Sequence, residues 1–282
     1  MNINSLHSSL NYIAYCGNTL TNEQCVILQN SLIILQNENN FANVFLWGRI
    51  FGLDNDYFIA FGYEKDALKG RIFYYSTDLT NWGILPVATK RAKRLALLSS
   101  TRFQGDAALQ LDVNIKYPIE VDYASNEKES SEEPLSEVLK EEDRLAATVA
   151  LISDESAVVP RGALLKRTDR CVVQNLAFKG LSSAEAQQLN SYQHYRIPQQ
   201  RWNTNLLVRQ DYNFAIDFLD TIDIDISAER CWSLKFQQGG QFSTLQNLYW
   251  PGMIFYHSIS TSDHGFIYIG NGRKNMDLPF MI

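Results

Sequence analysis

Residues 43–63 read NVFLWGRIFGLDNDYFIAFGY. Two runs rich in β-branched and aromatic residues, NVFLWGRIFGL and DYFIAFGY, are separated by Asp54-Asn55, the pattern of a β-hairpin. RIFYYSTD (71–78) follows as a third strand. Connections this short cannot cross over a sheet, so the three strands are expected to run antiparallel. Upstream, Leu6, Leu10, Ile13 and Ala14 keep to one helical face. A second helix is expected from Thr21, where Gln24 three residues on gives a capping box. Leu20 and Cys25 are placed for a hydrophobic staple, Cys25, Leu28, Leu32 and Leu35 make the buried stripe, and the polar run Asn37–Asn40 ends the helix. Downstream, Thr89–Ser99 reads as a short basic helix.

Residues 122–143 carry nine acidic residues against Lys128 and Lys140. The first part, with its serines and Pro134, reads as a solvated loop too polar to order itself by burial. A helix is expected to begin at Ser136 and run through SEVLKEEDRLAATVALI, its early carboxylates facing the positive end of the helix dipole. The chain is therefore divided into 1–121 (helices plus antiparallel sheet), an acidic loop at 122–140, and 141–282 (helices plus C-terminal hairpins). The two halves are either separate domains or one shared core. AVVPRGALL (157–165) reads as a strand broken at Pro160 and Gly162. GLSSAEAQQLNSYQHYR (180–196) opens with Ser182 and Glu185, another capping box, and reads as a helix. NFAIDFLDTI (213–222) reads as a shorter one. CWSLKFQQ and QFSTLQNL flank Gly239-Gly240, a two-residue hairpin turn. Alternation of Trp232, Leu234 and Phe236 predicts one buried face. GMIFYHSI and GFIYIGNG make a second hairpin around Ser260–Asp263. The expected class is α+β: an N-terminal helix pair, antiparallel sheets with C-terminal hairpins, and a few segregated helices.

The 282 residues include 45% apolar and 20% charged residues, with a net charge of −6. That composition suits a globular chain and disfavours a dedicated nucleic-acid binder, which needs clustered Lys and Arg. The polar N-terminus does not read as a secretory signal, and no apolar run approaches the ~20 residues that span a bilayer. Cys16, Cys25, Cys171 and Cys231 are scattered without a CxxC pair, so reduced thiols in the cytosol are expected rather than disulfides or zinc. No catalytic, cofactor or metal set emerges. GxSxG and HExxH are absent, and His7, His194, His257 and His264 stand in no known local signature. His257 reads as a satisfied strand histidine, and with His264 it supplies only two ligands. GNGRK (270–274) reads as a turn, because no helix follows it to hold a phosphate. Asp223/Asp225 and the Lys90–Arg94 cluster read as solvated faces. Aromatics form 12% of the chain and concentrate in the strands. An antiparallel sheet leaves a face or edge to be covered, and a partner protein is the economical cover. On residues alone, a ligand- or carbohydrate-binding module using sheet aromatics, or a hydrolase using His194 or His257, stays open.

Several segments together resemble the radial spoke head proteins of motile cilia and flagella: FLWGRIFGLDNDYFIAFG (45–62), VVPRGALL (158–165), GLSSAEAQQLNSYQHYR (180–196), LYWPGMIFYH (248–257) and FIYIGNGRKNMDLPFM (266–281). The short length and the KNMDLPFMI ending set the chain apart from the larger 4/6 type. The resemblance implies a non-enzymatic structural subunit without cofactor or small-molecule substrate, located in the axonemal spoke head. Its implied partners are spoke head proteins of the 4/6 type, protein 1 and stalk protein 3. Its implied role is to relay contacts of the head with central-pair projections to dynein. The same segments supply the site candidates. Trp47, Gly48 and Arg49 would fix a strand, the arginine pairing to a carboxylate or carbonyl. Trp250, Pro251 and Gly252 would make a tight corner between hairpins. Arg273, Lys274, Asn275, Met276 and Asp277, with Leu278–Phe280, would form a tail docked on its own core or on a neighbour. Tyr57, Arg161, Tyr192 and His194 are further structural or interface candidates.

Overall fold

The computed structural model describes residues 1–14, 17, 19–115, 135–199, 210–225 and 231–280. Cys16 and most of the acidic 122–140 stretch lie outside them. The chain opens with α1 (Leu6–Ile13) and α2 (Asn22–Glu38), then β1 (Asn43–Ile50), β2 (Tyr57–Tyr63), β3 (Ile72–Ser76) and β4 (Gly83–Ile84). Helix α3 (Lys90–Leu98) and strands β5 (Gln110–Ile115) and β6 (Leu135–Lys140) lead into α4 (Glu141–Ser156). Short elements follow: β7 (Val158–Pro160), β8 (Leu164–Lys166), β9 (Val172–Gln174), α5 (Ser183–Ala186) and β10 (Tyr192–His194). Strands β11 (Trp232–Gln237), β12 (Phe242–Asn247), β13 (Met253–Ser258) and β14 (His264–Gly270) complete the fold.

Eight strands form one sheet in the order β11-β12-β13-β14-β1-β2-β3-β4. All its pairs are antiparallel except β1 with β14, which run parallel with Gly48 opposite Tyr268. That pair joins the first strand of the chain to the last. Three two-stranded sheets, β5-β6, β7-β10 and β8-β9, lie outside it.

The strand runs have apolar residues at successive positions because both faces of the sheet are buried. Phe58, Ala60, Ile254, Tyr256, Ile267 and Ile269 pack with Leu10 and Ile13 of α1 and Leu28, Leu32 and Leu35 of α2. Tyr57, Ile59, Phe61, Phe255, Phe266 and Tyr268 point the other way, toward Leu145, Val149 and Ile152 of α4. Of the expectation that a partner covers a sheet face or edge, the face is corrected: helices of this chain cover both faces, while β11 and β4 are the end strands of the sheet. Helix α2 begins at the expected capping box, with Thr21 Oγ1 accepting from Gln24 N and Gln24 Oε1 from Thr21 N, at 3.2 and 3.1 Å. Leu20 and the Cys25-Leu28-Leu32-Leu35 stripe are buried, whereas Ala14 is exposed.

Five local expectations are corrected. Residues 135–140 are strand, because β6 takes up the free edge of β5, and the helix starts only at Glu141. Residues 180–196 hold one capped helical turn. The chain then straightens so that Tyr192–His194 can pair with Val158–Pro160, and tertiary pairing overrides the helical pattern. Residues 213–222 are turns rather than a helix: Asn213 Oδ1 accepts from Ala215 N and Asp217 Oδ2 from Asn213 N, both at 2.9 Å, so short polar side chains hold the backbone in another shape. On β11, Trp232 is buried but Phe236 is 40% exposed, because this strand is the sheet edge and its far end has no cover. The turn between β11 and β12 spans four residues, 238–241, since Gln237 pairs with Phe242. Gly239 and Gly240 both sit at positive φ within it.

Candidate functional site

Four of the side chains singled out from sequence, Trp47, Tyr57, Trp250 and Lys274, meet at one element, α4. Trp47 is fully buried and donates its indole N–H to Ser153 Oγ at 2.9 Å. The strand carrying it bulges there: Leu46 pairs with Ala60 and Gly48 with Ile59, leaving Trp47 as the extra residue. Gly48 lets β14 approach. A Cβ at this position would stand 2.0 Å from the carbonyl oxygen of Tyr268. Arg49 forms the expected carboxylate pair, with Asp56, and its Nε donates at 2.9 Å. The other oxygen of Asp56 accepts from Gly52 N, so the pair closes the β1–β2 turn.

Tyr57 reaches the opposite end of α4, donating to Glu141 Oε1 at 2.9 Å. Glu141 is fully buried and also accepts from the backbone N–H groups of Gln104 and Gly105. Burial, reinforced by that carboxylate, drives the phenol of Tyr57 far above its ordinary pKa, so it stays a donor at every accessible pH.

Trp250, Pro251 and Gly252 turn the chain between β12 and β13. Asn247 Oδ1 accepts from Trp250 N at 2.9 Å, and Trp250 O accepts from Met253 N at 3.0 Å. Gly252 sits at φ +106, and a Cβ there would fall 2.1 Å from Ile269 O. The buried Trp250 indole donates to Glu155 Oε2 at 2.8 Å, and Lys274 Nζ lies 2.6 Å from the same oxygen. Asn275 N donates to Tyr249 O at 2.7 Å, Arg273 donates to Ser100 O, and Leu278 is buried. The tail thus lies along its own chain, with Met276 67% exposed and Asp277 outward.

A second polar group lies on β7 and β10. Arg161 makes a two-pronged contact with Asp217, at 2.5 and 2.8 Å, and reaches Asp211 at 2.6 Å. The Asp217 hydrogen bonds, reinforced by Asp211, outweigh burial and raise the guanidinium pKa. Tyr192 donates to Ala186 O at 2.8 Å and lies 3.1 Å from Ser243 Oγ; burial raises its phenol to about 12. His194 Nε2 sits 2.8 Å from Asp225, which also accepts from Trp232 Nε1 at 2.8 Å. Asp225 is therefore engaged rather than part of a solvated face. Asp225 and Glu155 both line a cleft of about 330 Å³ with His194, Arg196 and Lys274.

These groups hold elements together and offer no poised reaction centre. The Cys231 thiol, buried and near Asp225, is pushed up to about 12, the reverse of an activated nucleophile. His257 is fully buried, accepts from Leu181 N at 3.0 Å on Nε2 and donates from Nδ1 to Asp263 O. Among the described residues, no three His, Cys, Asp or Glu side chains are grouped to hold a metal ion. None of the described helices is long and apolar enough to cross a membrane. The sheet aromatics Trp47, Tyr57 and Tyr268, and Trp250 beside them, are core, each at most 1% exposed. Reading the sequence missed Glu141, Ser153 and Glu155 on α4 and Asp217 and Asp225 in the loops. The one available signal was the acidic start of α4. The others are ordinary polar residues until folding sets them beside Trp47, Trp250, Arg161 and His194.

Comparison with known proteins completes the assignment. The family described as radial spokehead-like protein matches residues 1–142. Over 283 residues the chain is 39% identical to a radial spoke head protein 9 homolog of Danio rerio. It is 35% identical to the Homo sapiens homolog over 282 residues and 36% identical to the Xenopus tropicalis homolog over 283. Each alignment covers 100% of both chains. Half of the chain matched by the family and all of it matched by these homologs together establish that the protein belongs to the radial spokehead-like family, alongside the radial spoke head protein 9 homologs.

Proposed function

We propose that this protein is a non-enzymatic structural subunit of the radial spoke head in the axoneme of motile cilia or flagella. It packs with spoke head proteins of the 4/6 type, with protein 1 and with stalk protein 3, and the assembled head passes contacts with central-pair projections on to dynein. The observation that carries this reading is similarity to radial spoke head protein 9 homologs along the entire chain. The structure supports it physically. Tyr57, Trp47, Trp250 and Lys274 are bonded to one helix, which suits a rigid block that keeps its shape under mechanical load.

The test is removal of the chain from a ciliated cell. Axonemes purified without it are expected to lack intact spoke heads and to beat abnormally. Complete spoke heads and a normal waveform would overturn the reading.

A further inference from the structure

Helix α3 packs on α4 through Ala92 and Leu95, which are buried with Ala147, Val113 and Leu139. Its opposite face is turned to solvent. Helical spacing brings Lys90, Arg91, Arg94, Leu97 and Leu98 together on that face. Leu97 and Leu98 are 50% and 48% exposed. The protein has 31 acidic residues against 25 Lys and Arg, yet the nine residues of α3 hold four basic residues and no acidic one. Arg91 is paired with Glu137 and Lys93 with Asp154, whereas among the described residues Lys90 and Arg94 meet no carboxylate.

Positive charge continues past the end of the helix. Arg144 is 2% exposed, and its guanidinium contacts the Thr101 hydroxyl and carbonyl and the Phe103 ring, with no carboxylate of the described residues bonded to it. Arg273 donates to the adjacent Ser100 O. Arg144 and Arg273 donate to the adjacent carbonyls of Thr101 and Ser100, so the two guanidinium groups share one neighbourhood; burial lowers the Arg144 pKa to about 10, with Glu141 opposing and Arg273 adding to it. Between the end of α3, α4 and the C-terminal tail runs a groove of about 210 Å³, lined by Leu97, Leu151, Trp250 and Met276 with Arg273 at its rim.

We propose that the outward face of α3 and this groove bind an acidic segment of a neighbouring polypeptide, its Asp and Glu side chains meeting Lys90, Arg94 and Arg273 and one of its apolar side chains entering the groove. Charge complementarity selects the partner, because a cationic face attracts an acidic segment and repels a basic one. The two exposed leucines beside the cations favour a polypeptide over a phosphate backbone, which offers them nothing to pack on. The proposal rests on the spoke-head reading and names the chemistry of one of its contacts.

The test has three arms, all on the full chain: cross-linking in isolated spoke heads, incorporation into axonemes, and RNA binding. In isolated wild-type spoke heads, a carbodiimide, which joins amines to carboxylates at zero length, is expected to link Lys90 to an Asp or Glu of another subunit. In cells lacking the endogenous chain, K90E/R94E is expected to melt at the wild-type temperature but enter axonemes at least fivefold less. K65E/K69E, an equal charge change on an exposed loop elsewhere, enters normally. Wild-type incorporation of K90E/R94E, with no intersubunit link at Lys90, would overturn the proposal while leaving the spoke-head reading intact. Unchanged incorporation with loss of binding to a fluorescent 20-mer RNA would assign the face to nucleic acid and overturn it as well. Absence of even the wild-type chain from the spokes would overturn both.

Discussion

At Gly48 the backbone of β1 passes β14 so closely that no side chain fits. Gly48→Ala would drive a methyl group into Tyr268 O, and backbone must move to accept it. Overpacking of this kind costs about 1–3 kcal/mol, read as a lower urea midpoint with an unchanged m-value. His257 makes a different prediction. Burial, aided by the neighbouring His264 ring, lowers its pKa to about 4 from an ordinary 6.5. As pH falls the unfolded chain therefore takes up this proton first. Stability from the neutral ring is complete above pH 6.5 and is lost progressively between 6.5 and 4, to a total on the order of 3 kcal/mol. Urea denaturation at a series of pH values should show this slope, and His257→Gln should flatten it while lowering stability at pH 7. An equally steep slope in the variant would remove His257 as its source.

Helix α4 is the element on which the fold converges. Its apolar side lies against the sheet, and its polar side chains Glu141, Ser153 and Glu155 receive Tyr57, Trp47 and Trp250. Trp250→Ala would remove a large buried ring and leave a cavity, at a cost of about 3–5 kcal/mol. Trp250→Phe keeps most of the ring but deletes the N–H donor to Glu155, at about 1–2 kcal/mol, because Lys274 still pairs with that half-exposed carboxylate. Equilibrium unfolding distinguishes the two. Equal losses would mean that the hydrogen bond, rather than the buried ring, dominates at this corner. The capping box of α2 and the acidic first turn of α4 were legible as patterns, because caps and dipoles act within four residues. The failure of residues 213–222 to form a helix was legible only in part: Asn213 and Asp217 bond to backbone within four residues, but Asp217 is also committed to Arg161, 56 residues away.

At the scale of the molecule, the sheet joins both ends of the chain. Strand β1 lies between β2 of the first half and β14 of the second, and α4 packs under strands from both. Residues from both sides of the acidic stretch share one buried cluster. One cooperative transition is therefore expected by calorimetry, with equal calorimetric and van't Hoff enthalpies, and residues 1–121 made alone should not fold. Two separable transitions would show two domains.

Sequence alone determined the strands of both hairpin sets, the N-terminal helix pair, the capped helix starts and the resemblance that the homologs establish, since periodicity, caps and turns are written in neighbouring residues. Only the tertiary structure decided that the sheet is continuous, that its two faces are covered by the chain itself, and that Ser153, Glu155 and Asp217 hold the singled-out side chains. A parallel pair between residues 48 and 268, or a hydrogen bond from Trp47 to Ser153, leaves no local pattern in the chain. The hydrogen bond exists because burying an indole N–H is costly without a partner, and the strand pair because buried backbone N–H and C=O groups need partners too; in both the partner is whichever polar group the packed elements bring within reach.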